Sequence, residues 1–160
     1  MGNKKLKIGW FSFSCCEDST MMFVEMMNDR FDEWSKLLEF RHARVLKRVN
    51  TLEGIEVAFV EGAIGSKRDE DKLKEIRANS KRLVAIGSCA CTGMPSAQRN
   101  TFDEKTKEEI KPLIEKFSLN EKVVPIKDVV QVDDSVPGCP MSEETFLKVL
   151  DKYLKEFGVI

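Results

Sequence analysis

Apolar residues along the chain fall into short dense runs separated by longer amphipathic stretches. Leu6 to Phe13 (LKIGWFSF) is apolar and aromatic with partial alternation, the pattern of a strand. From Ser19 to about Leu38 the residues Phe23, Met27, Phe31, Trp34 and Leu38 recur every three or four positions, which predicts one long helix capped by Asp18 or Ser19. Met21, Met22 and Met26 widen that stripe and are read as core filling, with a partner-binding surface as the alternative. An extended piece is expected around 44–49, then a strong strand at Ile55 to Val60. Ser66, with Asp69 three residues on, predicts a helix to about Asn79. Arg82 to Gly87 (RLVAIG) is apolar without alternation, as a strand buried on both faces would be. A helix from about Asp103 to Phe117 contains Pro112, which bends or divides it. Lys122 to Ile126 reads as a short strand. Ser142 caps the last helix, with Glu143 and Glu144 in the first turn where the dipole favours them, and that helix runs to Gly158. Strands alternating with helices through short connections predict a flavodoxin-like, doubly wound α/β fold with a parallel sheet, in one domain spanning 1–160.

Composition narrows the function classes. At 160 residues with 42% apolar and 33% charged side chains, the chain has the balance of a globular domain. The 26 basic and 27 acidic residues give a net charge of −1, which does not mark nucleic acid as a partner. The N-terminal apolar run is interrupted by serines and makes a poor signal peptide, and MGNKKL lacks the Ser or Thr of a myristoylation signal. No run is long enough for a transmembrane segment. A cytoplasmic protein follows, free or peripheral on a membrane complex.

Five cysteines, an odd number at modest density, argue against a disulfide framework and for metal or redox chemistry. Cys15 and Cys16 follow the first strand, Cys89 follows RLVAIGS, and Cys139 precedes the last helix. All lie on the carboxyl side of predicted parallel strands, whose ends share the edge of the sheet where ligands bind. Gly87, Gly93 and Gly138 flank these thiols and permit close backbone approach, while Pro137 and Pro140 stiffen the last loop. Four convergent thiolates without a nearby histidine suit zinc or an iron–sulfur cluster. Neither the doublet nor the lone Cys139 is the paired knuckle of a structural zinc site, whereas adjacent residues can ligate neighbouring irons of a cubane, so a cluster is favoured.

VAFVEGAI, LVAIGSCACTGMPSAQRN and VPGCPMSEETFLKVL, in that order, resemble the nickel–iron hydrogenase small subunit and its relative, the 20 kDa-type iron–sulfur subunit of complex I. The resemblance spans nearly the whole chain. It implies one 4Fe4S cluster beside the metal centre of a hydrogenase-type large subunit, relaying electrons to a further electron-transfer subunit, with no catalytic residue on this chain. Carried over, the ligands are Cys16, Cys89 and Cys139. Hydrogenase small subunits space the first pair C-x-x-C, which would place the fourth ligand at Phe13; Cys15 is the substitute, and adjacent cysteines are the complex I pattern. Cys91 is the other candidate for that place, since in an extended chain it would share a face with Cys89. Glu61 and Gly62 match the family's VEG. The absence of the family's longer C-terminal region, and of a twin-arginine leader, implies a minimal, single-cluster, cytoplasmic form.

Around this set, Glu17 and Glu61 are candidates for moving protons or orienting a partner; the alternative is a solvated Glu17 and a Glu61 satisfied by loop N–H groups. Gly62, Gly87 and Gly138 are expected next to the cluster. His42 is far from the cysteine loops and is not expected to be a ligand, and no role is read for Arg99. Three competing readings remain. A flavin site lacks the hydroxyl-rich phosphate cradle, a Cys15–Cys16 redox pair would need a strained disulfide, and a structural zinc site is disfavoured by the spacing.

Overall fold

The computed structural model describes residues 4–160, so the Met1–Asn3 part of the N-terminal signal readings lies outside the described residues. In chain order the elements are β1 (Leu6–Ser12), α1 (Asp18–Asp29), α2 (Phe31–Leu37), β2 (Leu38–Ala43), β3 (Ile55–Glu61), β4 (Ile64–Ser66), α3 (Lys67–Ala78), β5 (Ser80–Ile86), α4 (Gly87–Thr92), α5 (Glu104–Lys116), β6 (Leu119–Val124), β7 (Asp134–Val136) and α6 (Glu143–Glu156). Five parallel strands form one sheet in the order β2-β1-β3-β5-β7. That is the flavodoxin-like order, with its switch between β1 and β3. β4 and β6 pair antiparallel as a separate ribbon.

Alternate residues of the central strands feed two cores. Ile8, Trp10, Val57, Phe59, Val84 and Ile86 pack with α1, α2 and α6, whereas Phe11, Ala58, Val60, Leu83 and Ala85 pack with α3 and α4. The first core is centred on aromatic rings. Trp10 stacks on Phe23 with centroids 4.2 Å apart, and Phe146 approaches Phe59 at 5.4 Å. Such pairs add about 0.5–1.5 kcal/mol each beyond their burial.

Three helix starts are as the sequence predicts. Ser66 accepts from Asp69 N, Asp103 from Thr106 N and Ser142 from Thr145 N. Pro112 sits inside α5 without dividing it. Elsewhere the structure corrects the expectations. The long helix breaks at Arg30, which leaves helical geometry (φ −113°, ψ 21°); the break turns Trp34 toward Phe23, 5.9 Å between rings. Extended chain falls at Leu38–Ala43, paired to β1, and not at 44–49, where Leu46 N and Lys47 N donate to Ala43 O in a turn. The strand expected at Lys122 to Ile126 begins earlier and lies in the ribbon, outside the main sheet. Met26 is buried and Met22 and Met27 pack against the core, but Met21 is exposed.

α1 is not capped by Asp18 or Ser19. Its N-cap residue is Glu17, in the left-handed region at φ 62°, and makes no side-chain cap. The cap comes from β3. Glu61, 2% exposed, accepts from Ser19 N and Thr20 N, each at 3.1 Å, and from Thr20 Oγ1 at 2.6 Å. Thr20 Oγ1 in turn accepts from Trp10 Nε1 at 2.8 Å. One carboxylate therefore joins the start of α1 to the end of the central strand. Glu61→Ala, which strands two buried N–H groups, is expected to lower stability by about 1–3 kcal/mol in urea unfolding, and Glu61→Gln, which keeps one acceptor oxygen, by less. An unchanged midpoint in Glu61→Ala would show that the carboxylate does not hold α1.

Candidate metal centre

The segments that carry Cys15 and Cys16, Cys89, and Cys139 leave the carboxyl ends of parallel strands β1, β5 and β7 and are laced together. After β1, Phe13 N donates to Glu61 O (2.8 Å), and Ser14 and Ala63 exchange two backbone hydrogen bonds. After β5, Ser88 N donates to Gly138 O (2.7 Å). In the segment after α4, Ser96 Oγ donates to Ser14 O (2.7 Å), and after β7, Met141 N donates to Ser19 Oγ (3.1 Å). Close approach is possible because of two glycines. A Cβ on Gly87 (φ 78°) would lie 2.9 Å from Ser19 Oγ, and one on Gly138 (φ 123°) would lie 2.4 Å from Pro140 O.

A small cavity at this edge is lined by Cys15, Cys16, Cys89 and Cys139, together with Asp18, Ser19, Glu61, Gly87, Ser88 and Gly138. Four of the five cysteines thus share one site, drawn from positions up to 124 residues apart. Their exposure is graded: Cys16 and Cys139 are exposed, Cys15 is half-buried, and Cys89 is 6% exposed. Cys89 and Cys15 rest on a small cluster of Ala63, Ala97 and Val123.

Cys91 points elsewhere. Residues 87–92 are helical and not extended, so a spacing of two places Cys89 and Cys91 on opposite sides of α4. Cys91 packs into the α3-side core and its Sγ faces Ala85 O at 3.7 Å.

Two of these thiols, Cys15 and Cys139, are pushed toward the protonated form by their surroundings. Burial, with the nearby Glu61 charge, pushes Cys15 up to about 12. The hydrogen bond from Cys139 Sγ to Asp18 Oδ2 (3.4 Å) raises Cys139. Burial raises Glu61 against the lowering effect of its hydrogen bonds from Thr20 and Ser19. Metal ions bind thiolates, so loading this site releases protons.

The remaining sequence candidates separate cleanly. Glu61 lines the cavity but is saturated by α1, and Glu17 is exposed and lines a different groove beside His42 and Arg44. Gly62 lies against the Phe13–Ser14 backbone. His42 is bound to Trp10 O through Nδ1 and stacks on Phe11, and burial lowers its pKa. Arg99 braces the ribbon, donating to Gly65 O and Asn120 O. Two residues of the site carried no sequence signal as such: Asp18, read only as a helix cap, and Ser96, whose Oγ lies 3.2 Å from Cys89 Sγ. Four thiols, no competing histidine and a glycine-lined approach fit a thiolate-ligated metal group.

Proteins of similar sequence and fold are subunits of hydrogenases and of NADH ubiquinone oxidoreductase. The family model of the NADH ubiquinone oxidoreductase 20 Kd subunit matches residues 15–153. A subunit of the F420-non-reducing hydrogenase vhu of Methanocaldococcus jannaschii is 32% identical, over 84% of this chain and 51% of its own length. Sulfhydrogenase 2 subunit delta of Pyrococcus furiosus is 30% identical, over 91% and 60%. The NAD-reducing hydrogenase HoxS subunit delta of Cupriavidus necator is 27% identical, over 92% and 78%. The chain therefore spans about half to three fifths of the first two relatives. Among solved structures, a chain of the NAD+-reducing NiFe-hydrogenase in the H2-reduced state superposes with a TM-score of 0.82 at 24% identity, covering 96% of this chain and 93% of that one, a likeness of fold. No helix among the described residues is long and apolar enough to cross a membrane. From the family match and the hydrogenase-subunit relatives, the chain belongs to the family of the complex I 20 kDa-type subunit and the nickel–iron hydrogenase small subunit.

Proposed function

We propose that the chain is the electron-relay subunit of a nickel–iron hydrogenase, holding one 4Fe4S cluster with Cys15, Cys16, Cys89 and Cys139. The observation that carries this reading is the meeting of those four thiols in one cavity while Cys91 turns into the core. When bound, the cluster supplies one-electron transfer between the metal centre of a large subunit and a further electron-transfer subunit. The chain's own residues position, insulate and tune it, and none performs bond chemistry. Glu61 fixes the Cys15–Cys16 loop through α1, and Ser88, Ser96 and Ser19 fix the other two loops. The exposed Cys16 and Cys139 form the outer rim, the side that the large subunit covers. Ala63, Ala97 and Val123 exclude water from the inner side. The subunit is one domain and works in the cytoplasm, alone or peripheral on a membrane complex.

A second reading is supported by the doublet itself. Adjacent Cys15 and Cys16 are the pattern of the complex I type subunit, and the matching family model carries that subunit's description. Copurification of a large subunit with nickel supports the hydrogenase reading; copurification without nickel supports the other.

Anaerobically purified protein is expected to be brown with about four irons per chain. Cys89→Ser, at the most buried thiol, is expected to lose them, and Cys91→Ser to keep them. Zinc without iron in the wild type, or equal loss in both variants, contradicts the assignment. Ser96→Ala removes the bond that ties the Cys89 segment to Ser14 O and is expected to lower stability by about 0.5–1.5 kcal/mol in urea unfolding; an unchanged midpoint would show that this bond does not hold the two segments together.

A further inference from the structure

The graded exposure of the four thiols divides the site into an outer and an inner half. The outer half holds a carboxylate that the four-cysteine assignment leaves unused. Asp18 Oδ2 lies 3.4 Å from Cys139 Sγ, and the donor atoms of Cys16, Asp18 and Cys139 all fall within 4.8 Å of one another. The other carboxylate of the cavity, Glu61, spends both oxygens on the start of α1. Asp18 makes no other side-chain hydrogen bond and no ion pair among the described residues, so both of its oxygens are available at the cavity.

The spacing is that of donors on a single ion. An oxygen at about 2.0–2.2 Å and a sulfur at about 2.3 Å from one tetrahedral metal lie roughly 3.5 Å apart, and the Asp18–Cys139 separation matches this. Two soft thiolates and a hard carboxylate suit a borderline first-row ion such as Fe2+ or Zn2+, with water in the fourth position. We propose that Cys16, Asp18 and Cys139 form a mononuclear divalent-metal site on the cluster-free chain, the place where the first iron is taken up. Two thiolates and one carboxylate around a doubly charged ion leave one net negative charge, and the two thiol protons pass to solvent as the metal–sulfur bonds form. Cys89 lies beneath this outer trio and is engaged only when the cluster is completed. The role in cluster assembly rests on the function proposed above, whereas the single-ion site does not.

The test uses the full chain, freed of metal and kept reduced, titrated first with Co2+ and then with Zn2+. One Co2+ per chain is expected, with the intense visible bands of a tetrahedral thiolate site, displaced by Zn2+. Loss of a direct ligand should cost at least as much as loss of an outer-shell partner, so Asp18→Ala is expected to weaken Zn2+ binding by about 10–100-fold. Asp18→Asn, which keeps the size of the side chain at the start of α1, should weaken it with an unchanged melting curve. Cys89→Ser should bind the single ion as the wild type does. Wild-type affinity in both Asp18 variants, or a loss in Cys89→Ser as large as in Asp18→Ala, overturns the proposal. Because the probe is one ion and not a cluster, a chain that assembles no cluster still gives the answer.

Discussion

The cysteine site depends on one buried carboxylate. Glu61 ends the central strand β3 and receives the first-turn N–H groups of α1, so the loop between β1 and α1 is anchored at a point that its own residues do not supply. A buried carboxylate is costly unless its oxygens are filled; here they are filled by Ser19 N, Thr20 N and Thr20 Oγ1, and the positive end of α1 helps to offset the burial. The same bonds set the direction of α1, and hence the place where Cys15, Cys16 and Asp18 enter the cavity. Trp10 joins the arrangement through Thr20, which links the site to the aromatic core beneath it.

Around that anchor the sheet does the gathering. Parallel strands β1, β5 and β7 send their outgoing loops to one edge, and the loops bond to each other instead of to solvent. The buried Cys89 and half-buried Cys15 then face inward against small side chains, while Cys16 and Cys139 remain at the surface. The site therefore has an insulated side and an open side.

Much of the fold was legible because local patterns agreed with the final packing. The apolar runs at β1, β3 and β5 are buried on both faces, the side chains of Ser66 and Ser142 make the capping bonds that their sequence contexts predict, and the helix expected from about Asp103 starts there. What escaped was set at long range or by short elements. β2 exists because Leu38–Ala43 pairs with β1, β4 and β7 have three residues each, and the break at Arg30 interrupts a stripe that reads as continuous. The convergence of four thiols could be read from their positions after strands, but their division from Cys91 could not. It depends on residues 87–92 being helical, which the run GSCACT does not announce. The bond between Glu61 and α1 spans 42 residues, and the functional position of Asp18 appears only when the Cys139 loop is folded against it.

Anomalous diffraction at the iron edge, from crystals of the anaerobically loaded chain, tests the four-thiol centre most directly. One compact group of iron atoms is expected, bonded to the sulfurs of Cys15, Cys16, Cys89 and Cys139, with Cys91 unligated in the core. Iron bonded to Cys91, or an anomalous signal away from the β1, β5 and β7 loops, would contradict it.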